Sequence, residues 1–364
     1  LYSTDASLFQ ITPQVACFPK NENDLVTIVQ VAKEYAVPIT ARGAGTSLAG
    51  QAVGSGIIVD FSKHMNKVLE FDHSSKSIQV QPGLVLAELN KVVGRDSLLF
   101  GPDPASADRA TIGGVLANNA TGAHSISYGM AVDHVLSVNA LLSDLQLQQL
   151  SEVPANQINA HSQFSNLLEY IDFIRKKKVD LIKGHFPITW RRASGYNLNY
   201  LLPWSASKPP NWKGQYPSVT DGTINLAHLM VGSEGTLGLI SEASLKMVEK
   251  PKSKGLAVLV FDDLVSASNA VPDLLDSKPA AIELIPNSLL RLAESLPHIR
   301  KKIPEWIDVQ KHLIIVEFAG SSSGQVLRRI DQLNDLQPVR IMDEKQQAAI
   351  WEIRKAGLGI LMSR

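Results

Sequence analysis

Arg42-Gly43-Ala44-Gly45-Thr46-Ser47, followed by Gly50, Gly54 and Gly56, is the stretch on which the fold of this chain turns. Before it, Leu25, Ile28, Val29, Ala32 and Tyr35 recur at helical spacing behind the candidate cap Asn23, and Val37 to Ala41 reads as a short strand. After it, Ile57 to Phe61 reads as a second strand, so the glycines lie between strands. Glycine allows backbone angles at which successive N–H groups converge on an anion, and Thr46 and Ser47 add hydroxyl donors. Such a nest suits a pyrophosphate. A Rossmann turn would need a helix directly after it, and Gly50, Gly54 and Gly56 break any such helix. A Walker loop is ruled out because Gly-Lys-Ser/Thr occurs nowhere in the chain. A purely structural turn is the remaining alternative.

Two further clusters share this character. One is Thr111-Ile112-Gly113-Gly114-Val115-Leu116-Ala117-Asn118-Asn119-Ala120-Thr121-Gly122, and the other is Val231-Gly232-Ser233-Glu234-Gly235-Thr236-Leu237-Gly238. Taken singly, each reads most simply as tight packing. Three loops of Gly, Ser and Thr, far apart in sequence, imply an extended ligand with a phosphate middle and aromatic ends. Each hydrogen bond to a charged phosphate contributes about 1.5–3 kcal/mol, so several together hold a dinucleotide without a covalent link.

The rest of the pattern is α+β. Lys67 to Asp72 and Ser77 to Gln81 read as a hairpin, Leu84 to Val93 as a helix, and Val135 to Leu142 as a strand. Phe100 to Gly129, with Pro102 and Pro104, has weak periodicity and the look of a binding stretch. Residues 150–218 read as an insertion, with a helix over Phe164 to Lys178 and a Pro/Trp/Ser-rich loop. Ile224 to Val231 and the strand Leu239 to Val248 restore order, and a domain boundary is expected near Pro251. Strand 255–261, helix 264–276, strands 281–285 and 312–318, helix 324–334 and strand 339–342 then follow. That order suits a ferredoxin-like sheet with helices on one face. The expected domains are 1–250, subdivided at about residue 70, and 251–364. Ala348 to Arg364 read as helix to the last residue, so the protein is expected to continue and the second domain to be incomplete.

Composition narrows the function classes. The 364 residues are 45% hydrophobic and 19% charged, with a mean hydropathy of +0.01, as in a soluble globular protein of about two domains. Lys+Arg and Asp+Glu are both 35, so no net positive field favours a nucleic-acid partner. Cys17 is the only cysteine, which excludes an internal disulfide framework and a cysteine-ligated cluster made by this chain alone. A reducing, cytoplasmic setting fits, and no apolar run has the length of a membrane span. His124, His134, His185, His228 and the other histidines are scattered without metal-ligand spacing, so no metal site is expected and each reads as a surface or packed side chain. Arg175-Lys176-Lys177-Lys178 reads as the solvated end of a helix, with a weak suggestion of contact with a membrane surface.

In their order and spacing, the three loops resemble the FAD-binding domain of the vanillyl-alcohol oxidase and p-cresol methylhydroxylase superfamily. The nearer likeness is to its D-lactate, glycolate and D-2-hydroxyglutarate dehydrogenase branch, which Gly195-Tyr196-Asn197 also resembles. The resemblance implies a two-subdomain FAD-binding fold followed by a ferredoxin-like substrate domain. It implies that Arg42, Gly43, Ala44, Gly45, Thr46 and Ser47 cradle the FAD pyrophosphate. Pro102, Thr111, Ile112, Gly113, Gly114, Ala117 and Asn118 would line the cofactor, and Glu234, Gly235, Gly238 and Ile240 would contact its other end. Members with covalent flavin carry His where Thr46 or Ser47 stands, so noncovalent FAD is implied. Hydride would pass from a small 2-hydroxy acid to the flavin. Electrons would leave to a quinone, an electron-transfer protein or a fused iron–sulfur domain of the kind that larger relatives append. The family's metal-binding residues fall after Arg364, so the resemblance supplies no catalytic base here.

Trp351-Glu352-Ile353-Arg354-Lys355-Ala356-Gly357 resembles the segment that presents an arginine to the substrate carboxylate. On the expected helix, Arg354 has only Ile350, Trp351, Gly357 and Leu358 at three and four positions, so its partner lies outside the helix. A substrate carboxylate is one such partner; water or a protein carboxylate is the other reading. An oxygen-using FAD alcohol oxidase and a noncatalytic nucleotide-binding module stand as rival functions.

Overall fold

A computed structural model describes residues 1–155, 165–220 and 222–361 of the chain. Phe164, the expected start of a helix, and residues 362–364 lie outside the described residues. The chain forms two compact units, Leu1–Gly122 with Tyr128–Glu249, and Ala123–Ser127 with Lys250–Arg364.

The first unit opens with β1 (Val15–Cys17), α1 (Glu22–Glu34), β2 (Ile39–Arg42) and β3 (Ile57–Asp60). These strands make a parallel sheet in the order β1-β3-β2. Helix α1 buries Leu25 and Ala32 against Ile57, Val59 and Phe61. Its cap is Asn21, not Asn23: the extended backbone of Asn21 lets its Oδ1 accept from the Asp24 N–H at 3.1 Å, whereas Asn23 sits inside the first turn. Parallel pairing of β2 with β3 requires a crossover, and the glycine stretch that begins at Arg42 supplies it.

A second sheet in this unit is antiparallel, with β4 (Val68–Asp72), β5 (Ser77–Val80), β6 (Val135–Leu142), β7 (Leu147–Leu150) and β8 (Gly238–Lys246) in the order β4-β5-β8-β6-β7. Helix α2 (Leu86–Val93) carries Leu86, Leu89 and Val93 at helical spacing onto its face, where they meet Ile78 and Val80 of β5. The short helix α3 (Ile112–Ala117) joins the same core through Ile112, Val115 and Leu116. Within the insertion, the expected helix is α4 (Ser165–Lys177), and a further helix not expected from the sequence, α5 (Val179–His185), follows after the backbone leaves helical angles at Lys178. Glu152–Pro154 pairs with Thr223–Asn225 and closes the base of this excursion.

The second unit contains β9 (Ser253–Phe261), α6 (Leu264–Asp276), β10 (Ala281–Ile285), α7 (Asn287–Glu294), β11 (His312–Gly320), α8 (Ser323–Asp331), β12 (Val339–Ile341) and α9 (Glu344–Leu361). Its antiparallel sheet has the ferredoxin-like order β10-β11-β9-β12. Helices cover both faces, not one. Ala257, Leu259, Ile314, Val316 and Phe318 pack with α6 and α8, while Leu256, Val258, Leu313 and Ile315 pack with α7 and α9. Every side chain from Leu256 to Leu259 is therefore buried, which explains a continuous apolar run where an exposed sheet face would alternate. Helix α7 was not expected from the sequence, since eight residues carry too few turns for a clear period.

Candidate functional site

The three glycine-rich loops converge on one cavity of the first unit, of about 340 Å³, a size within the range of small-molecule pockets. From the first loop it is lined by Arg42, Gly43, Ala44, Gly45, Thr46 and Ser47, and from the second by Thr111, Gly113, Gly114, Ala117 and Asn118. Glu234, Gly235, Gly238 and Ile240 come from the third. Two residues expected at the cofactor are not on this wall. Ile112 is fully buried, its side chain spent on the core around α2, and Pro102 is also buried while Pro104 takes the lining position.

Local chemistry explains why this wall is made of small residues. Gly45 has φ +68°, which L side chains rarely adopt, and a Cβ there would lie 2.6 Å from Nη2 of Arg42. A Cβ on Gly43 would meet Oγ1 of Thr111 at 1.9 Å, and one on Gly238 would meet the Leu141 carbonyl at 2.5 Å. The Arg42 guanidinium does not point free into the cavity: Nη1 donates to the Ala52 carbonyl and Nη2 to the Thr4 carbonyl, each at 2.8 Å. With Tyr2 stacked beneath it, Arg42 braces the loop, and backbone N–H groups with the hydroxyls of Thr46 and Ser47 are the candidate anion donors there.

The second and third loops are tied to each other. The Gly232 N–H donates to the Leu116 carbonyl at 2.9 Å and the Glu234 N–H to the Ala117 carbonyl at 3.0 Å, with Glu234 held at φ +51°. Asn119, 1% exposed, donates from Nδ2 to the Arg192 carbonyl and to Oδ1 of Asn197, and accepts from the Val132 N–H. Asn197 in turn donates to the Val231 carbonyl at 2.7 Å. The Gly195-Tyr196-Asn197 step thus clamps two loops through buried, satisfied amides. Ala193, Ser106, Gln51, Pro82 and Thr121 also line the cavity and were not singled out by sequence reading. Of these, Thr121 lay inside a quoted cluster, whereas Ala193 belongs to the insertion and offers no compositional signal.

Arg354 lies on α9 in the second unit, away from these residues in sequence. Its Nε and Nη2 donate to Oε2 and Oε1 of Glu283 on β10, both at 3.1 Å, so its partner outside the helix is a protein carboxylate. One turn earlier, Nε1 of Trp351 donates to Glu317 on β11 at 3.1 Å. Glu317 is 2% exposed and also meets Nε2 of His124 and Nζ of Lys254, each at 2.9 Å. Burial alone would push this carboxyl up, but His124 and Lys254 hold it down at about 2. Glu283, Glu317 and Lys254 share one face of the sheet with the core under α9. In the first unit, burial raises Asp133 to about 7 and lowers His134 to about 4, within hydrogen bonds to Tyr200 and the Tyr128 carbonyl respectively. Among the described residues no group of three His, Cys, Asp or Glu could hold a metal ion, and no helix is long and apolar enough to cross a membrane.

The fit to FAD rests on this geometry: three loops rich in small residues line one cavity, and at Gly43, Gly45, Gly113 and Gly238 an added Cβ would collide with its neighbours. Comparison with known proteins agrees. Residues 13–151 match the model of an FAD binding domain, and residues 250–364 match that of the C-terminal domain of FAD linked oxidases. A D-2-hydroxyglutarate dehydrogenase of Pantoea ananatis is 31% identical over 342 residues, covering 91% of this chain and 32% of that protein. A D-lactate dehydrogenase [cytochrome] 1 of Saccharomyces cerevisiae is 26% identical, covering 95% and 49%. Glycolate oxidase subunit GlcD of Bacillus subtilis is 26% identical, covering 82% and 51%. The chain therefore spans from a third to half of the length of these relatives. A solved alkyldihydroxyacetonephosphate synthase superposes with a TM-score of 0.62 at 20% identity, over 96% of this chain and 58% of that one, a likeness of fold alone.

Proposed function

The chain belongs to the FAD-linked oxidases of the vanillyl-alcohol oxidase and p-cresol methylhydroxylase superfamily, and on that premise we propose that it is the flavin-holding part of a dehydrogenase of small 2-hydroxy acids. The substrate class is that of D-lactate, glycolate or D-2-hydroxyglutarate, as the relatives' names suggest. The observation that carries the reading is the convergence of three distant loops on one cavity with a backbone-donor wall.

In this reading the backbone of Gly43 to Ser47 and the hydroxyls of Thr46 and Ser47 hold the pyrophosphate, and the loops at Thr111 to Asn118 and Glu234 to Ile240 take the rest of the cofactor. Thr46 and Ser47 offer no imidazole, so the flavin is held without a covalent bond. Bound FAD supplies a two-electron acceptor for the hydride of the hydroxyl-bearing carbon. Arg354 exchanges Glu283 for the substrate carboxylate, because a planar guanidinium serves either carboxylate with the same pair of donors. No residue of this chain is assigned as the base for the hydroxyl proton. A quinone, an electron-transfer protein or a fused iron–sulfur domain is the acceptor that suits such an enzyme in the cytoplasm.

The test is anaerobic mixing of the flavin-loaded protein with D-lactate, glycolate and D-2-hydroxyglutarate, followed by flavin absorbance. Bleaching by one of them is expected. Bound flavin that none of these acids bleaches would remove the dehydrogenase reading, and peroxide formed in air from another alcohol would replace it with an oxidase.

A further inference from the structure

The insertion concentrates charge that the whole chain balances. Residues 165–220 hold nine basic side chains against the acidic Glu169, Asp172 and Asp180, and no acidic residue occurs from Leu181 to Thr220. Asp172 is already matched to Lys176 at 2.7 Å. Lys177, Lys183, Lys208 and Lys213 are exposed, and among the described residues none of them carries an ion pair.

The same elements expose apolar side chains. On α4, Leu168 and Ile171 are buried, while Tyr170 and Phe173 are 63% and 44% exposed and stack on each other with centroids 6.1 Å apart. Lys177 falls on the same side of the helix, one turn beyond Phe173. On α5, Ile182 is buried and Leu181 is 56% exposed, and Ile188 just after it is 79% exposed. Lys178 places its ammonium 5.5 Å from the Phe173 ring. A solvated helix end explains the lysines at the last turn of α4 but not these aromatic and aliphatic neighbours, which water disfavours.

We propose that this face, α4 and α5 with the loop to Thr220, docks on an anionic phospholipid surface. Tyr170, Phe173, Leu181 and Ile188 enter the headgroup region, and the surrounding lysines meet lipid phosphates. Long lysine stems reach past apolar neighbours to the headgroups, which suits a helix lying in the plane of the interface. The excess of basic over acidic side chains complements anionic lipid. An acidic protein would match the charge but not the highly exposed aliphatic pair. The face adjoins the cavity of the first unit: Ala193 lines it, and Nε of Arg191 donates to the lining residue Thr121 at 3.2 Å. The proposal holds whatever the substrate.

The test is sedimentation of the flavin-loaded chain with vesicles of phosphatidylglycerol mixed into phosphatidylcholine and with vesicles of phosphatidylcholine alone. Binding to the first only, weakened by salt, is expected. Reversal of three exposed charges in Lys177→Glu/Lys178→Glu/Lys183→Glu should weaken it at least ~100-fold. Leu181→Ser/Ile188→Ser should weaken it about tenfold or more, since each removes apolar area from the interface. Thermal melting by circular dichroism checks that both variants fold. The proposal fails if the parent binds neither vesicle, binds both equally, or binds as tightly with the three charges reversed. If vesicles hold nothing while charge reversal abolishes reaction with an acidic electron-transfer protein, the face is a protein-docking surface and the lipid assignment falls.

Discussion

Arg354 and Glu283 face each other through two parallel hydrogen bonds of 3.1 Å, each side chain being about a quarter exposed or less. The pair gives the proposed substrate role a sharp form, because a substrate carboxylate must compete with one already in place. Losing a desolvated partner costs about 2–5 kcal/mol, so Arg354→Ala in the whole enzyme should lower kcat/KM by roughly 30-fold to several thousand-fold with flavin content unchanged. Glu283→Gln should move KM the other way, downward, by weakening the competitor. Steady-state kinetics on both variants decide it; if both lose only thermal stability and keep the parent's KM, the pair is structural.

Gly45→Val should abolish flavin retention. The new Cβ collides with the Arg42 guanidinium that braces the loop, and φ of +68° is strained for a β-branched residue. Flavin absorbance per folded protein is the readout. A folded variant with full flavin content would exclude the first loop as the pyrophosphate cradle.

Flavin should leave the protein on acid or heat treatment without proteolysis, since positions 46 and 47 are Thr and Ser. Ultrafiltration after denaturation separates the cases. Yellow colour retained with the polypeptide would contradict the noncovalent assignment.

Glu317 makes stability depend on acid. Its folded carboxyl titrates at about 2, below the ordinary 4.5, so the folded state binds the proton less well than the unfolded one. The stabilisation is fully present above about pH 5 and is lost as pH falls towards 2, with a total of about 3 kcal/mol. Urea unfolding of the parent and Glu317→Gln should therefore differ near neutrality and converge in acid. A difference that stays constant from pH 7 to about 2.5 would mean that the charge at Glu317 contributes nothing.

The loops were legible in sequence because their backbones demand glycine, and that demand is written at single positions such as Gly45 and Gly238. Partnerships across long separations were not. Nothing near Arg354 in sequence points to Glu283, 71 positions away on a strand, and Ala193 reaches the cavity only because Asn197 and Asn119 lock the insertion against the loops. Arg42 was legible as a loop residue, but two of its N–H donors are taken by the carbonyls of Thr4 and Ala52, which only the folded chain reveals. The two-faced burial of the second sheet was present in the unbroken run Leu256 to Leu259, a signal that the expected one-sided helix layer did not use.

Residues Ala123–Ser127 belong with the second unit, where His124 meets Glu317 and Ser127 reaches the Ala280 carbonyl, although the chain on either side belongs to the first. Recombination between related genes at a single crossover near residue 250 would therefore join a foreign C-terminal unit to a native five-residue strap. The incoming unit would have to keep an acceptor where Glu317 stands, or the crossover would have to be accompanied by a second, internal exchange. Inheritance of the two units is coupled by that strap, so divergence at position 124 is expected to travel with divergence at position 317.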